Sequence, residues 1–386
     1  MPQTDMQDTA HLPLKGIRVV SLEQAVAAPL CSRRLVLAGA EVIKIERPEG
    51  DFARFYDTAV AGESSYFVWL NAGKKSVVLD LKHAEDLTRL RRLVLASDVL
   101  IQNLKPGALQ SLGLNLDTLH EEHPGLISVS ISGFHPTGPG AARKAYDLLM
   151  QAESGLAAIT GSVHEPGRVG VSVVDLSTGM FAYEAVLEAL LRRAQTGHGE
   201  SIDVALFDAV AEWMAVPYLL EQHTGEAPAR VGLAHPGICP YGVFSSADEV
   251  RFVLSIQNER EWTRLCEVGL QQPELLNDPR CRDNETRVTH RDYVDGTLQH
   301  QFGLNSFAEL SRRLDRADLA FAPVNPVSAL ATHSDLRTQV IRVGAQAVPL
   351  PVVPGRARVE GLAVPALGEH TADVLNWLDS LAPESN

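Results

Sequence analysis

The sequence predicts an α/β fold, with a large domain built on a parallel sheet and a smaller α+β domain beside it in the chain. Three observations carry this expectation. The chain has 386 residues, more than the roughly 250–300 at which a single core stops growing. Strand-like runs alternate with helix-like runs through the first third of the chain, the pattern of helices covering both faces of a parallel sheet. The composition then changes in HTGEAPARVGLAHPGICP, a Gly- and Pro-rich stretch that marks a domain boundary. The large domain is therefore expected to precede residue 223, and the small one to follow it.

The elements follow in order. GIRVVSL reads as a strand, PLCSRRLVLAGA as an apolar-periodic helix and EVIKIER as a second strand, which makes a βαβ unit. SVVLDL, AEDLTRLRRLVLAS, DVLIQNL and GLISVSISGF repeat the alternation. Residues 179–197, GMFAYEAVLEALLRRAQTG, predict one strong helix stopped at Gly197, and SIDVALFDAVAEWMAVPYLLEQH predicts a short strand followed by a longer helix. Beyond the boundary, YGVFSSADEVRFVLSI predicts two strands around a turn, with helices at NEREWTRLCEVG and SFAELSRRLDRA. The last stretch, RVEGLAVPALGEHTADVLNWLDSL, ends in an amphipathic helix.

Composition excludes several classes of function. Hydrophobic residues are 45% and charged residues 21% of the chain, the balance of an ordinary globular protein. The net charge is −14, which gives no general footprint for nucleic acid or an anionic membrane. The charge is uneven: residues 1–150 hold 16 Lys and Arg against 17 Asp and Glu, and the remainder 18 against 31. An anionic ligand would meet a local cluster, at Lys44 with Arg47, Lys74 with Lys75, or Arg143 with Lys144, unless these are solvated surface charges. The four cysteines, Cys31, Cys239, Cys266 and Cys281, match neither a CxxC pair nor a zinc site, and read as buried thiols in a reducing compartment. The opening MPQTDMQDTAHLPLKG has neither a basic nor an apolar signal region and no run reaches membrane-spanning length, so a cytoplasmic protein is expected. The first strand is followed by LEQAVAAPLC, which lacks the glycines of a dinucleotide fingerprint; a nicotinamide-dependent dehydrogenase is not expected.

Periodicity stops at a two-domain α/β enzyme, and motifs go further. SLEQAVAAPLCSRRLVLAGAEVIKIERPEGD, LNAGKKSVVLDLK, DVLIQNLKPGALQSLGL and ISGFHPTGPG resemble, in order, the family III CoA-transferases, the group of formyl-CoA and carnitine CoA-transferases. Their superfamily also contains the α-methylacyl-CoA racemases. The resemblance runs from about Gly16 to PALGEHTADVL. It implies a Rossmann-like large domain of residues 1–222 completed by 326–386, a small α+β domain of 223–325, an interlaced ring-like homodimer, no metal, and no cofactor beyond CoA thioester substrates. It also implies CoA transfer from an acyl-CoA, with succinyl-CoA the expected donor, to a small carboxylic or dicarboxylic acid. The alternative is a 2-methylacyl-CoA racemase.

In that family the nucleophile is an aspartate just ahead of a helix, and VSVVDLSTGM places Asp175 there. A carboxylate that attacks a thioester keeps the acyl group activated as an anhydride and then as an aspartyl thioester. The following helix would favour its ionised form, although an aspartate before a helix is also a common cap. Tyr146 and Asp147 match a position lining the acyl pocket. Racemases resembling this chain have His-Asp there, and a phenol, with a pKa near ~10, substitutes poorly for an imidazole near ~6.5. Their second base corresponds to Gln257, with Glu259 two residues away. By the same resemblance CoA is expected at Ala25, Val26, Ala27, Arg47, Lys75, Asn103, Leu104 and Lys144. Gly232 and Gly237 would belong to a loop closing over the thioester, unless they are ordinary turn glycines. Arg54, Arg143 or Arg168 would take a distal carboxylate. Val26 stands where formyl transferases have Gln, and Ser111 where a basic residue is frequent.

Overall fold

The computed structural model describes residues 12–356 and 358–381. It divides into two compact units. The first runs to Leu156, resumes over Val169–Ala215 and again from Arg337, and the second comprises Ala157–Arg168 and Val216–Leu336. The units meet at Ala215 and Leu336, where the expected boundaries are 222 and 325, and 157–168 joins the second unit. A Gly/Pro-rich stretch reports where backbone turns, whereas a unit ends where packing does.

The first unit is built on a six-stranded parallel sheet in the order β3-β2-β1-β4-β5-β6. The strands are β1 Arg18–Leu22, β2 Glu41–Glu46, β3 Lys75–Val78, β4 Val99–Gln102, β5 Ile127–Ser132 and β6 Ser201–Ala205. Successive side chains of a strand point to opposite faces, and both faces here are apolar. Val19, Val42, Val99 and Ile101 pack with the helices Ala27–Val36 and Val173–Thr196. Val20, Ile43, Val77 and Leu100 pack on the other face with Leu90, Leu93, Val374 and Leu378 of the helices Ala84–Leu95 and Thr371–Ser380. Strands buried on both sides explain the near-continuous Val/Ile/Leu runs of the sequence. The strand order reverses between β1 and β4, the place where open α/β sheets bind ligands.

The expected helix at 179–197 begins six residues earlier, at Val173, and is capped by Gly197 at φ +78°. The expected single helix after β6 is two, Leu206–Trp213 and Ala215–Thr224, because Pro217 has no N–H to continue the first ladder.

The second unit carries the antiparallel sheet β7 (Tyr241–Ser245), β8 (Arg251–Ser255) and β9 (Ala320–Pro323) in that order. It packs on the helices Glu259–Arg264, Arg291–Phe302 and Phe307–Arg316 around Phe244, Phe252, Phe302 and Leu314. Arg287 is buried there and donates to both carboxylate oxygens of Glu259 at 2.7 and 2.8 Å and to the carbonyls of Cys239 and Cys281. The first unit ends with a small sheet that the sequence reading did not assign: β10 (Thr338–Val343), β11 (Gln346–Pro351) and β12 (Ala363–Val364).

Candidate active site

The turn after β1 is the pivot of the first unit. Ala25 has φ +63°, left-handed backbone that costs a non-glycine residue about 1–2 kcal/mol. Hydrogen bonds from both sides hold it. Asn103, at the end of β4, accepts from Gln24 N at 2.9 Å and donates to Gln24 O at 2.8 Å. Asp51 accepts from Ala25 N at 3.3 Å and from Ala53 N at 2.9 Å. Below the turn lies a buried charge network: Lys44 bonds Asp51 at 2.8 Å and the carbonyl of Glu23 at 3.2 Å, and Lys74 bonds Glu23 at 2.6 Å. Ser32 adds a hydrogen bond to Glu23 at 2.6 Å. Glu23 is held below its ordinary value: burial opposes the shift, and the charges of Lys74 and Lys44 outweigh it. Lys44 and Lys74 are thus neither anion-facing partners of Arg47 and Lys75 nor solvated charges, because buried carboxylates beneath the turn need them.

On one side of the turn, a cavity of about 250 Å3 opens at the carboxyl ends of β1, β2 and β4, lined by Glu23, Gln24, Arg47, Asp51, Lys82 and Leu104 among others. On its other side Ala25 and Val26 pack with Leu30, Leu70, Tyr66, Trp69 and Leu176. Leu176 follows Asp175, so one turn joins the cavity wall to the start of the Val173–Thr196 helix. Gly179, one turn further along, lets that helix touch the Ala27–Val36 helix: a Cβ there would stand 2.5 Å from the Ala27 carbonyl oxygen.

Asp175 is the third residue of its helix, not a residue ahead of it. Its carboxyl is part-buried and raised from 3.8 to about 7, by burial first and by the neighbouring charge of Asp147 second. The first-turn amides of Val174 and Asp175 donate to Asp147 and not to the Asp175 carboxyl. Asp147 Oδ1 accepts from Val174 N at 2.8 Å and from Asp175 N at 3.4 Å, while Oδ2 accepts from Gln151 Nε2 at 2.7 Å. Gln151 is wholly buried and accepts from Val169 N at 2.9 Å. Tyr146, ahead of Asp147, is exposed. Tyr56 is raised to about 12, chiefly by burial, with Asp51, Asp175 and Tyr146 adding to it. It meets Tyr66 edge-on at 5.6 Å, and the Tyr66 hydroxyl lies 3.4 Å from that of Ser172.

The structure brings Asp175, Tyr146 and Asp147 together, and places Ala25, Arg47 and Leu104 along the turn and cavity. Val26 and Ala27 are buried in packing. Asn103 is committed to the backbone of Gln24. Lys75 pairs with Glu41, which also takes Arg18 at 2.6 Å. Arg47 donates Nε to the Gly50 carbonyl at 2.9 Å and stays largely exposed, as does Lys144. Arg54 is a correction in kind: its fork is bidentate on Glu46 at 2.7 and 2.8 Å, its third nitrogen donates to Pro365 O at 3.2 Å, and its plane lies 3.7 Å over Phe67. An arginine so engaged is a fold contact rather than a ready anchor for a distal carboxylate. Arg143 likewise forks onto Glu153. Tyr56, Tyr66 and Gln151 were not selected from sequence; nothing in their spacing sets them apart.

In the second unit Gly232 has φ +62°, so it serves a turn that resists side chains, and Gly237 donates to His235 Nδ1 at 3.1 Å. Gln257 is exposed, and both oxygens of Glu259 are held by Arg287. Neither is a free carboxylate base of the kind that two-base racemisation requires. Among the described residues no group of three or more His, Cys, Asp or Glu is arranged to hold a metal, and no helix is long and apolar enough to cross a membrane.

The sequence matches the description CoA-transferase family III over residues 14–371. The chain belongs to that family. It is 34% identical over 398 residues to a succinate–glutarate CoA-transferase of Agrobacterium fabrum, covering 98% of each chain. It is 36% identical to an acetyl-CoA:oxalate CoA-transferase of Acetobacter aceti, over 87% of each, and 31% identical to the human succinyl-CoA:glutarate CoA-transferase, over 97% of this chain and 87% of that one. Among solved structures, a CaiB/BaiF family protein from Brucella suis superposes with a TM-score of 0.82 at 33% identity, covering 95% of this chain and 99% of that one. This family III CoA-transferase therefore acts on acyl-CoA and carboxylate substrates.

Proposed function

We propose that this enzyme moves CoA from succinyl-CoA to a small dicarboxylate, with glutarate the first acceptor to test, through a covalent cycle on Asp175. The observation that carries the reading is the position of the Asp175 carboxyl: part-buried, raised to about 7, and joined by the Glu23–Val26 turn to a cavity at the strand-order reversal. The deprotonated Asp175 oxygen attacks the thioester carbonyl; the C–S bond breaks, giving a mixed anhydride and CoA thiolate. The thiolate attacks the aspartyl carbonyl of the anhydride, releasing succinate and leaving an aspartyl-CoA thioester. The acceptor carboxylate then displaces thiolate to form a second anhydride. Thiolate attacks its acceptor-derived carbonyl, which restores the Asp175 carboxylate and releases the new acyl-CoA. Every step exchanges one activated acyl bond for another, so no redox group or Lewis acid is called for, and full activity is expected after dialysis against a chelator.

CoA is proposed to lie along the cavity, with Arg47 on a phosphate, where its planar fork suits the geometry, and Ala25 beside the reacting end. Lys75, Asn103 and Lys144 are retained as proposed contacts. Gly232 and Gly237 are proposed to belong to a loop that covers the thioester, and the φ of +62° at Gly232 supports a turn there that favours glycine. The names of the relatives support succinyl-CoA and a dicarboxylate.

The enzyme is further proposed to be an interlaced homodimer. Val216, Tyr218, Leu219 and Leu220 of the Ala215–Thr224 helix are all exposed, an apolar surface of the kind that marks a protein interface. Light scattering that gives a monomer at assay concentration would refute this. Four buried free thiols agree with a reducing compartment, and cell fractionation tests a cytoplasmic location.

The deciding experiment mixes enzyme, succinyl-CoA and a panel of carboxylic acids and identifies new CoA thioesters by mass. Glutaryl-CoA formation is expected. No new thioester from any acid, or α-deuterium exchange into a 2-methylacyl-CoA without transfer, would overturn the proposal. Asp175→Ala should bind CoA and lose transfer by several orders of magnitude.

A further inference from the structure

The start of the Val173–Thr196 helix offers Asp175 amide N–H groups of the kind that ordinarily stabilise a carboxylate there. In this protein they are spent elsewhere. Ser172, at the cap position, makes no side-chain cap bond, and the side chain that fills the role comes from 27 residues upstream: Asp147 accepts from Val174 N at 2.8 Å and from Asp175 N at 3.4 Å. Gln151, one turn along the Asp147–Glu153 helix, fixes this arrangement, donating to the second oxygen of Asp147 at 2.7 Å and accepting from Val169 N at 2.9 Å. Both side chains are buried, so neither is an adaptable surface contact.

We propose that Asp147 and Gln151 are positioning residues which keep the helix N-terminal amides away from Asp175 and set a second negative charge beside it, making Asp175 a more basic nucleophile than an ordinary aspartate. This rests on Asp175 being the nucleophile. Tyr56, from the segment after β2, also couples to Asp175, and Tyr146 and Tyr66 in turn act on Tyr56; Asp147 is the charged neighbour acting on Asp175. The arrangement has a chemical use. A carboxylate must displace thiolate from a thioester, and nucleophilicity rises with basicity, with a Brønsted slope near ~0.4–0.5 for the related thiol exchange. An amide-capped aspartate would be ionised at lower pH and weaker in attack.

The test compares wild type with Asp147→Asn and with the double variant Asp147→Asn/Gln151→Glu. The asparagine side chain still offers its carbonyl oxygen to Val174 N. In the double variant the introduced carboxylate accepts from both the asparagine amide and Val169 N, so every hydrogen bond is kept while the charge moves one side chain further from Asp175. Two readouts are needed: kcat/KM for transfer from succinyl-CoA against pH, and hydroxylamine trapping with mass identification of the labelled peptide. The wild-type acid limb is expected near pH 7. In each variant its midpoint should fall by about one pH unit and the high-pH plateau by about threefold, so that the variant is the faster enzyme at low pH. A gain at low pH distinguishes positioning from damage, since misfolding lowers the rate at every pH. If wild type is labelled at Asp175 but the double variant, shown folded by thermal melting, keeps the wild-type midpoint, the positioning role is wrong and the nucleophile stands. If trapping labels another residue, the reading of Asp175 falls and this inference falls with it.

Discussion

Gly179→Ala puts one methyl group where the long helix crosses the helix Ala27–Val36. The added Cβ would lie 2.5 Å from the Ala27 carbonyl oxygen, 2.9 Å from Leu30 Cβ and 3.1 Å from Leu30 Cδ2. Leu30 can turn a little, but a backbone carbonyl at the first turn of a buried helix cannot. Ordinary contact begins at 3.4 Å, so the helices must part by roughly 0.9 Å. Overpacking of this kind costs about 1–3 kcal/mol, and replacing a helical glycine by alanine returns about 1 kcal/mol. Because the closest atom is backbone, the upper end applies, and the net loss is about 2 kcal/mol. The displacement also reaches the chemistry, since Gly179 lies one turn beyond Asp175 and Ala27 two residues beyond Ala25. A 1 Å misplacement costs on the order of 100-fold in rate. Urea denaturation and the rate of CoA transfer measure the two effects. Gly296→Ala is the matched control, made in the Arg291–Phe302 helix where a Cβ meets nothing within 4 Å; it is expected to stabilise by up to about 1 kcal/mol. If Gly179→Ala is as stable as wild type and transfers within twofold of its rate, the close crossing does not position Asp175.

Further outcomes are expected. Lys74→Met removes the cation that bonds Glu23 at 2.6 Å and should cost about 3–5 kcal/mol in denaturant titration, with Glu23→Gln/Lys74→Met recovering part of it; a loss below 1 kcal/mol would mean that the network is not needed to hold the turn. Asp175→Asn should gain stability at the expense of activity. The folded carboxyl titrates near 7 against 3.8 for an ordinary aspartate, so its contribution is favourable below pH 3.8 and is lost as the pH rises through 7. The rise corresponds to at most about 4 kcal/mol, and partial exposure reduces this to about 2. The amide variant should therefore be the more stable protein at pH 8.5, with a gain that shrinks toward pH 4; an equal gain at both pH values would point to packing instead of charge.

The parallel sheet was legible because it is made of local signals. Runs such as VVSL and VLIQ place apolar residues on both faces, and apolar strands separated by periodic helices have few ways to bury themselves. The motifs around SLEQAVAAPLC and VSVVDLSTGM were legible as resemblance and led to Asp175 and Tyr146. The amino-acid types alone misled at the basic pairs: KK at 74–75 reads as one surface cluster, yet Lys74 is buried against Glu23 while Lys75 on β3 pairs with Glu41. Alternation along an extended strand separates such neighbours, and which side is filled depends on what packs there.

What the sequence by itself determined is the fold class and the family, since these rest on short-range pattern and on motifs read in order, and it singled out Asp175 as the candidate nucleophile. What only the tertiary structure decided is the state of that aspartate. Asp147 lies 27 residues before Val174 in the chain, and it is the approach of the Asp147–Glu153 helix to the first turn of the long helix that makes a distant carboxylate its cap. Arg54 shows the same effect, its fork taken by Glu46, and Asn103 spends its oxygen and one N–H on the Gln24 backbone. Composition states which groups can donate or accept; three-dimensional proximity decides which of them are already spent.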